Sequence, residues 1–266
     1  MDTHPGFATD LLFDRYQGEV TRHEQFWAVR TPDAPDYYFG NYLLLASPPS
    51  DRDKGWLEAA FDQLIGQDPR IQHRTFQWPL AKGQNSRVAG FVTTGYQYLE
   101  CVVLALDKDG WQMSDSALSH AEVRAFKPAD WQEWIDFELH ERDEAHSKES
   151  YLSYLHSRSE LYQAMIADEL GNWWGVWLDE QLVASCGLFF TDKLGRFQLV
   201  RTHRRWRNQG LCRQLLSKVA QHGLTRVEQL IIVADEHYHA QRIYRSLGFT
   251  PVARIGSLCR WPHEPR

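Results

Sequence analysis

The stretch Arg196–Leu216, read as RFQLVRTHRRWRNQGLCRQLL, constrains the fold more than any other part of the chain. Phe197, Leu199 and Arg201 fall on one face of a strand, and Gln198, Val200 and Thr202 on the other. Leu211, Cys212, Leu215, Leu216, Val219 and Ala220 then recur at helical spacing, and Gly223 is a natural stop. The connection between strand and helix is basic and contains Gly210. A glycine there lets the backbone approach a ligand closely, and the first N–H groups of a helix have no internal partner. Guanidinium groups alongside add fixed positive charge. These residues predict a site for a phosphate or pyrophosphate.

Arg207-x-x-Gly210-x-Cys212 resembles the Arg/Gln-x-x-Gly-x-Gly/Ala loop of the GNAT (GCN5-related N-acetyltransferase) superfamily, with Cys212 in the last small position. Downstream, Val227–Asp235 reads as a buried strand. Ala240–Phe249, AQRIYRSLGF, then resembles the family's Ala-x-x-hydrophobic-Tyr-x-x-x-Gly-Phe element. Ala240, Ile243, Tyr244 and Leu247 share a helix face, and Gly248 ends the helix. The resemblance covers about Ala121 to the C-terminus. It implies the GNAT fold, an α/β (α+β) architecture in which a mixed, mostly antiparallel twisted sheet is flanked by helices.

The resemblance also implies an activity: transfer of an acyl group from acetyl-CoA to a primary amine by direct attack. In the family the strand before the loop carries the pantetheine arm, which falls on Val200, Arg201 and Thr202 here. The pyrophosphate loop becomes Arg207, Asn208, Gln209, Gly210, Leu211, Cys212 and Arg213, and His237 is a further cofactor contact where relatives often carry Asn. Tyr244 matches the tyrosine that protonates the departing thiolate. Several relatives place a general base on the strand preceding the loop, but Phe197–His203 holds no carboxylate and Arg201 occupies its middle. Asp235, Glu236 and His237 are the substitutes, with Asp235 as the first candidate and a helix N-cap as its alternative role. The missing carboxylate leaves a rival reading open, a non-catalytic CoA-binding regulatory or scaffold protein.

The chain has 266 residues, enough for two modest domains. Its net charge of −6 argues against nonspecific binding to nucleic acid, although Arg201, Arg204, Arg205 and Arg207 with Trp206 form a basic run. No segment has the apolar length of a membrane span, and the N-terminus lacks a signal-peptide layout. Four scattered cysteines without a Cys-x-x-Cys pair suggest thiols in a reducing, cytoplasmic setting. The expected partner is a small-molecule amine or a peptide, with neither nucleic acid nor membrane, and the chain is expected to be a monomer or homodimer. His237-Tyr238-His239 lacks a third ligand for a metal, and Trp173, Trp174 and Trp177 read as packing residues.

A Ser-, Asp- and Gly-rich segment at 107–119 suggests two domains, 1–112 and 120–266. The second half reads as β-α-α-β-β-β-α-β-α-β-β. The first half echoes it: a strand at 39–46, an amphipathic helix through Trp56–Ile65, a strand at 74–78, and Gly90-Phe91 before two further strands. Where the phosphate loop would stand there is Ser47-Pro48-Pro49-Ser50-Asp51, in which prolines contribute no N–H and Asp51 and Asp53 repel an anion. The first half is therefore expected to be a degenerate GNAT-like domain that does not hold CoA, the alternative being an unrelated α/β domain.

Overall fold

The computed structural model describes residues 3–81, 83–84, 86–112, 121–142, 147–235 and 241–261. They form two compact units that interleave along the chain. The first holds the chain up to Val103, a short piece from Val233 and the C-terminal stretch from Val252. The second holds Leu104–Ile232 and resumes up to Pro251.

In the first unit the order is α1 (Pro5–Gln17), β1 (Glu19–Arg22), β2 (Phe26–Arg30), β3 (Tyr42–Leu45), α2 (Lys54–Leu64), β4 (Arg74–Pro79), α3 (Ala89–Val92) and the start of β5 (Gln97–Asp107). β1 and β2 pair antiparallel, as do β2 and β3, and β3 runs parallel to β4. Leu57 and Phe61, one helical turn apart on α2, pack into a core with Leu43, Phe76, Trp78 and Phe91. α1 has a proline in its first turn and His4 Nδ1 accepting the Phe7 N–H, and it buries Phe7 and Leu11. After Gly90-Phe91 the chain forms one long strand, β5, rather than the two expected.

The second unit contains β6 (Glu122–Ala125), α4 (Asp130–His140), α5 (Lys148–Ala167), β7 (Gly171–Leu178), β8 (Gln181–Phe190), β9 (Leu194–Thr202), α6 (Leu211–Gly223), most of β10 (Gln229–Asp235) and α7 (Gln241–Ser246). β6 to β9 pair antiparallel in chain order, and β9 runs parallel to β10. Trp131, Trp134, Tyr162, Trp173 and Phe189 pack as a run of ring contacts, which accounts for Trp173 as core. A single strand, β11 (Thr250–Arg260), follows α7 where two were expected, and its residues Ile255–Arg260 pair antiparallel with β4 in the first unit. Among the described residues no helix is long and apolar enough to cross a membrane.

The two halves repeat one element order: β1-β2-β3-α2-β4-α3-β5 and β7-β8-β9-α6-β10-α7-β11, with the same succession of antiparallel, antiparallel and parallel pairs. The counterparts differ from those read in the sequence. α7 ends in a Schellman turn, with Phe249 N–H on the Tyr244 carbonyl (3.2 Å), Gly248 N–H on that of Arg245 (3.1 Å) and Gly248 at φ 99°. α3 ends the same way, with Tyr96 N–H on Phe91 (3.2 Å), Gly95 N–H on Val92 (3.1 Å) and Gly95 at φ 92°. Gly95-Tyr96, not Gly90-Phe91, thus corresponds to Gly248-Phe249, because Gly90 lies inside α3. Phe91 then stands in the first half where Tyr244 stands in the second.

The two turn glycines separate backbone strain from crowding. A Cβ on Gly248 would lie 1.8 Å from the Gly110 carbonyl oxygen, whereas one on Gly95 meets nothing closer than Arg260 Cδ at 4.0 Å. Gly95→Ala is expected to cost about 1 kcal/mol from its positive φ alone, and Gly248→Ala about 2–4 kcal/mol. Urea unfolding of the two variants checks the order, and equal losses would contradict it.

Candidate active site

β9 carries a bulge. Gly187 of β8 faces Gln198 and Ser185 faces Arg201, so Leu199 and Val200 together oppose Cys186, and Leu199 takes a left-handed φ of 42°. The expected alternation of faces therefore breaks down: Phe197 is buried, while Gln198 to Thr202 are all half-buried. The parallel ladder to β10 joins Leu194–Arg196 with Gln229–Ile231, so Val200, Arg201 and Thr202 lie beyond it.

After a short 3-10 turn at Arg204–Trp206, Asn208 (φ 62°) and Gly210 (φ 82°) are left-handed and reverse the chain into α6. Arg207 to Gly210 are exposed, and Leu211 is buried and anchors the first turn. Gly210 is the N-cap, and among the described residues no side chain caps the helix. Gln214 N–H takes the Gly210 carbonyl at 3.0 Å, which leaves the amides before it for an outside acceptor. This arrangement fits a diphosphate. Cys212 packs against β9, where the Thr202 hydroxyl donates to its sulfur and burial pushes its thiol up to about 12, so it fills a small position as an unreactive thiol. All four cysteines are thiols rather than disulfides.

The arginines of the loop are tied to Glu141, which follows α4. Its Oε1 accepts the Arg204 amide at 3.0 Å and Arg204 Nε at 3.2 Å, and its Oε2 accepts Arg207 Nη2 at 2.7 Å. Arg207 Nε also donates to the Thr202 carbonyl at 3.1 Å. Burial pushes the Glu141 carboxyl up, but the Arg204 amide and the two guanidinium groups outweigh it and hold it below its ordinary value. His140, Glu141 and His203 bring potential metal ligands within 4.8 Å. However, His203 Nδ1 accepts the Arg205 N–H, so the neutral ring carries its proton on Nε2, and the Glu141 oxygens already hold two arginines. The cluster is an ion-pair brace that shapes the loop.

Sequence reasoning missed Glu138. It projects from α4 to Arg201 of β9, with Oε2 at 3.1 Å from Nε. Its side chain is 1 % exposed and that of Arg201 28 %. Burial raises the Glu138 carboxyl to about 7 despite the Arg201 charge. Arg201 Nη1 also donates to the Glu141 carbonyl at 3.1 Å, and Tyr151 of α5 accepts from the same guanidinium. The pair joins positions 63 residues apart, and helical periodicity gave no sign of it beyond a glutamate on the buried side of α4.

Tyr244 is buried on α7, with its ring against Phe249, which in turn meets Phe197 of β9. Asp235 is exposed at the end of β10, and Arg213 is half-buried on the first turn of α6. Ala240, Glu236, His237, Tyr238 and His239 lie outside the described residues.

Residues 130–249 match the model of the Acetyltransferase (GNAT) family and form a domain of that family. Solved structures agree in fold along nearly the whole chain. A functionally unknown conserved protein from Staphylococcus epidermidis is 12% identical with a TM-score of 0.77, covering 93% of this chain and 96% of its own. A GCN5-related N-acetyltransferase from Kribbella flavida is 16% identical with a TM-score of 0.68, covering 99% and 97%. A tandem GNAT protein from the clavulanic acid biosynthesis pathway is 13% identical with a TM-score of 0.56, covering 91% and 82%. No curated protein matches the sequence. The class is thus a GNAT-fold protein in tandem arrangement, and family and fold together support a general acyl-transfer function.

The Glu141 brace makes a testable statement about pH. Because its carboxyl is depressed in the folded state, its stabilising effect is present above its ordinary value and is lost as pH falls through the folded one. Glu141→Gln is expected to lower the melting temperature near pH 7 and to flatten its decline in acid. Melting curves of the variant and the parent from pH 7 down to pH 3 check this, and parallel curves would contradict it.

Proposed function

We propose that the second half of the chain is an acetyl-CoA-dependent N-acetyltransferase acting on a primary amine. The observation that carries this reading is the exposed start of α6, where left-handed Gly210 turns uncapped amides outward. Bound there, acetyl-CoA supplies an acyl group activated as a thioester. The amides of Gln209 to Arg213, with Asn208 in the turn, grip the pyrophosphate through main-chain donors and the positive end of the helix. Arg207 contributes through the shape of the loop, since its guanidinium is shared with Glu141. The half-buried main chain of Val200, Arg201 and Thr202, beyond the β10 ladder, orients the pantetheine arm. His237 is a further contact for it.

Tyr244 holds a proton on its phenol oxygen at neutral pH and delivers it to the departing sulfur. An aliphatic amine with a pKa of ~10 arrives charged and must lose a proton before attack. Asp235 is the group we assign to receive it, directly or through water. Holding amine and acyl group together supplies the largest part of the rate gain.

The first unit serves as a partner domain without cofactor. The turn before α2 is closed by the protein's own groups: Asp53 accepts from the Ser50 amide and hydroxyl, each at 2.8 Å, and the Asp51 amide donates to the Arg87 carbonyl at 2.9 Å. Phe91 at the position of Tyr244 has no phenol to donate. The unbridged thiols suit a cytoplasmic setting.

Gly210→Asp puts bulk and negative charge at the loop, and a loss of at least about a hundredfold in CoA affinity is expected by calorimetry. An unchanged affinity would move the cofactor elsewhere. Tyr244→Phe is expected to lower kcat by about a hundredfold while leaving the CoA Kd unchanged. Thiol release over a panel of amines measures it. CoA binding without turnover on any amine would favour a regulatory role.

A further inference from the structure

Arg201 stands where the strand before the loop would carry a carboxylate, and its side chain leaves β9 toward α4 and α5. Its guanidinium is ion-paired with Glu138, Nε lying 3.1 Å from Oε2, is held at Nη1 by the Glu141 carbonyl, and also donates to Tyr151. A guanidinium has five N–H donors and is always charged. The Glu138 carboxylate is enclosed at 1 % exposure, while 28 % of the Arg201 side chain is open. The group presented outward by this pair is therefore the cation. Arg158 of α5, itself buried, adds a second positive charge to the cluster through its place over the Tyr154 ring (5.9 Å). Glu141, the other carboxylate nearby, is occupied by Arg204 and Arg207.

We infer that Arg201 is a specificity-determining residue that selects acceptors bearing a carboxylate beside the reacting amine. The inference rests on the acetyltransferase reading and deepens it by naming the acceptor class. A guanidinium held by its Nη1 bond and its ion pair keeps further N–H groups on one rigid plane, the planar donor geometry that a carboxylate matches. A purely cationic amine would meet like charge there, although the chain as a whole is acidic. Glu138 acts as a positioning residue. Its charge opposes an incoming carboxylate, so the fork holds an anion more tightly once Glu138 is protonated, below about 7. The groups facing Glu138 are Arg201 from β9, Tyr151 and Tyr154 from α5 and Glu141 beyond α4.

The test pairs each amino acid with its decarboxylated amine: tryptophan with tryptamine, phenylalanine with phenethylamine, histidine with histamine and arginine with agmatine. Thiol release from acetyl-CoA is expected to show a kcat/KM at least tenfold higher for the acids. Arg201→Met should bring the ratio close to one, the acid and its amine being compared on the same protein, and Arg201→Lys, which keeps the charge and loses the fork, serves if the Met variant does not fold. Equal or better turnover of the amines, or a ratio unmoved by the substitution, overturns the inference and leaves the acetyltransferase reading intact. Turnover of no amine at all counts against the acetyltransferase reading. A binding arm then still decides the acceptor class: calorimetry with CoA present, comparing 3-phenylpropionate with 3-phenylpropanamide. The acid should bind at least tenfold tighter, more so at pH 6 than at pH 8, and Glu138→Gln should remove the pH dependence. Equal binding of acid and amide overturns the inference.

Discussion

A helix begins with N–H groups that its own hydrogen bonds cannot satisfy, and each half of this chain resolves that constraint differently. In the first half, Asp53 bends back onto the Ser50 amide and hydroxyl, and the Asp51 and Asp53 amides donate to the Arg87 and Ser50 carbonyls, so these donors of the turn before α2 are consumed internally. In the second half, Gly210 brings no side chain to the N-cap of α6, its backbone is left-handed, and the turn from Arg207 to Gly210 is exposed. One topology, repeated in sequence, thus yields a closed turn and an open one. The difference rests on side-chain chemistry at a few positions, with the same secondary structure around both.

The open turn is held in shape by charge. Four arginines crowd the segment from Arg201 to Arg207, and without compensation they would repel one another. Glu138 and Glu141 divide three of them: Glu138 holds Arg201, and Glu141 holds Arg204 and Arg207. The loop therefore offers an anion mainly main-chain donors and helix dipole. Such a site discriminates by geometry, because amides in a rigid turn cannot follow a ligand of the wrong shape as a flexible arginine can.

What the sequence disclosed and what it concealed divide along contact range. The α6 pattern, the Gly210 turn and the Gly248 stop are local features, and each follows from residues within a few positions. The β7–β8 hairpin was legible as two strands, but its turn, Asp179-Glu180 with φ 47° and 65°, lacks the glycine that marks such turns. β5 and β11 run on as single long strands, since apolar runs do not reveal where a strand breaks. The affiliation of β11 with β4 in the first unit depends on pairing across about 180 residues and has no local signature. Similarly, Arg207 was legible as a cation beside the loop, while its occupation by Glu141 was not.

Glu138 and Glu141 stand one helical turn apart, and their carboxyls are displaced in opposite directions. Glu141 meets an amide and two guanidinium groups and is stabilised as an anion. Glu138 meets one guanidinium, with neither of its oxygens in a well-formed hydrogen bond, and desolvation prevails. For Glu138 the folded chain holds a proton that the unfolded chain would release between its ordinary value and about 7, so its contribution to stability declines as pH rises through that window. A buried ion pair of this kind is poor value for stability, because apolar residues of similar volume would serve as well or better. The pair instead fixes the direction of a guanidinium at the middle of the strand that precedes the open turn. Its stability cost and its orienting effect arise from the same burial, which is why the arginine can be both partly exposed and rigidly aimed.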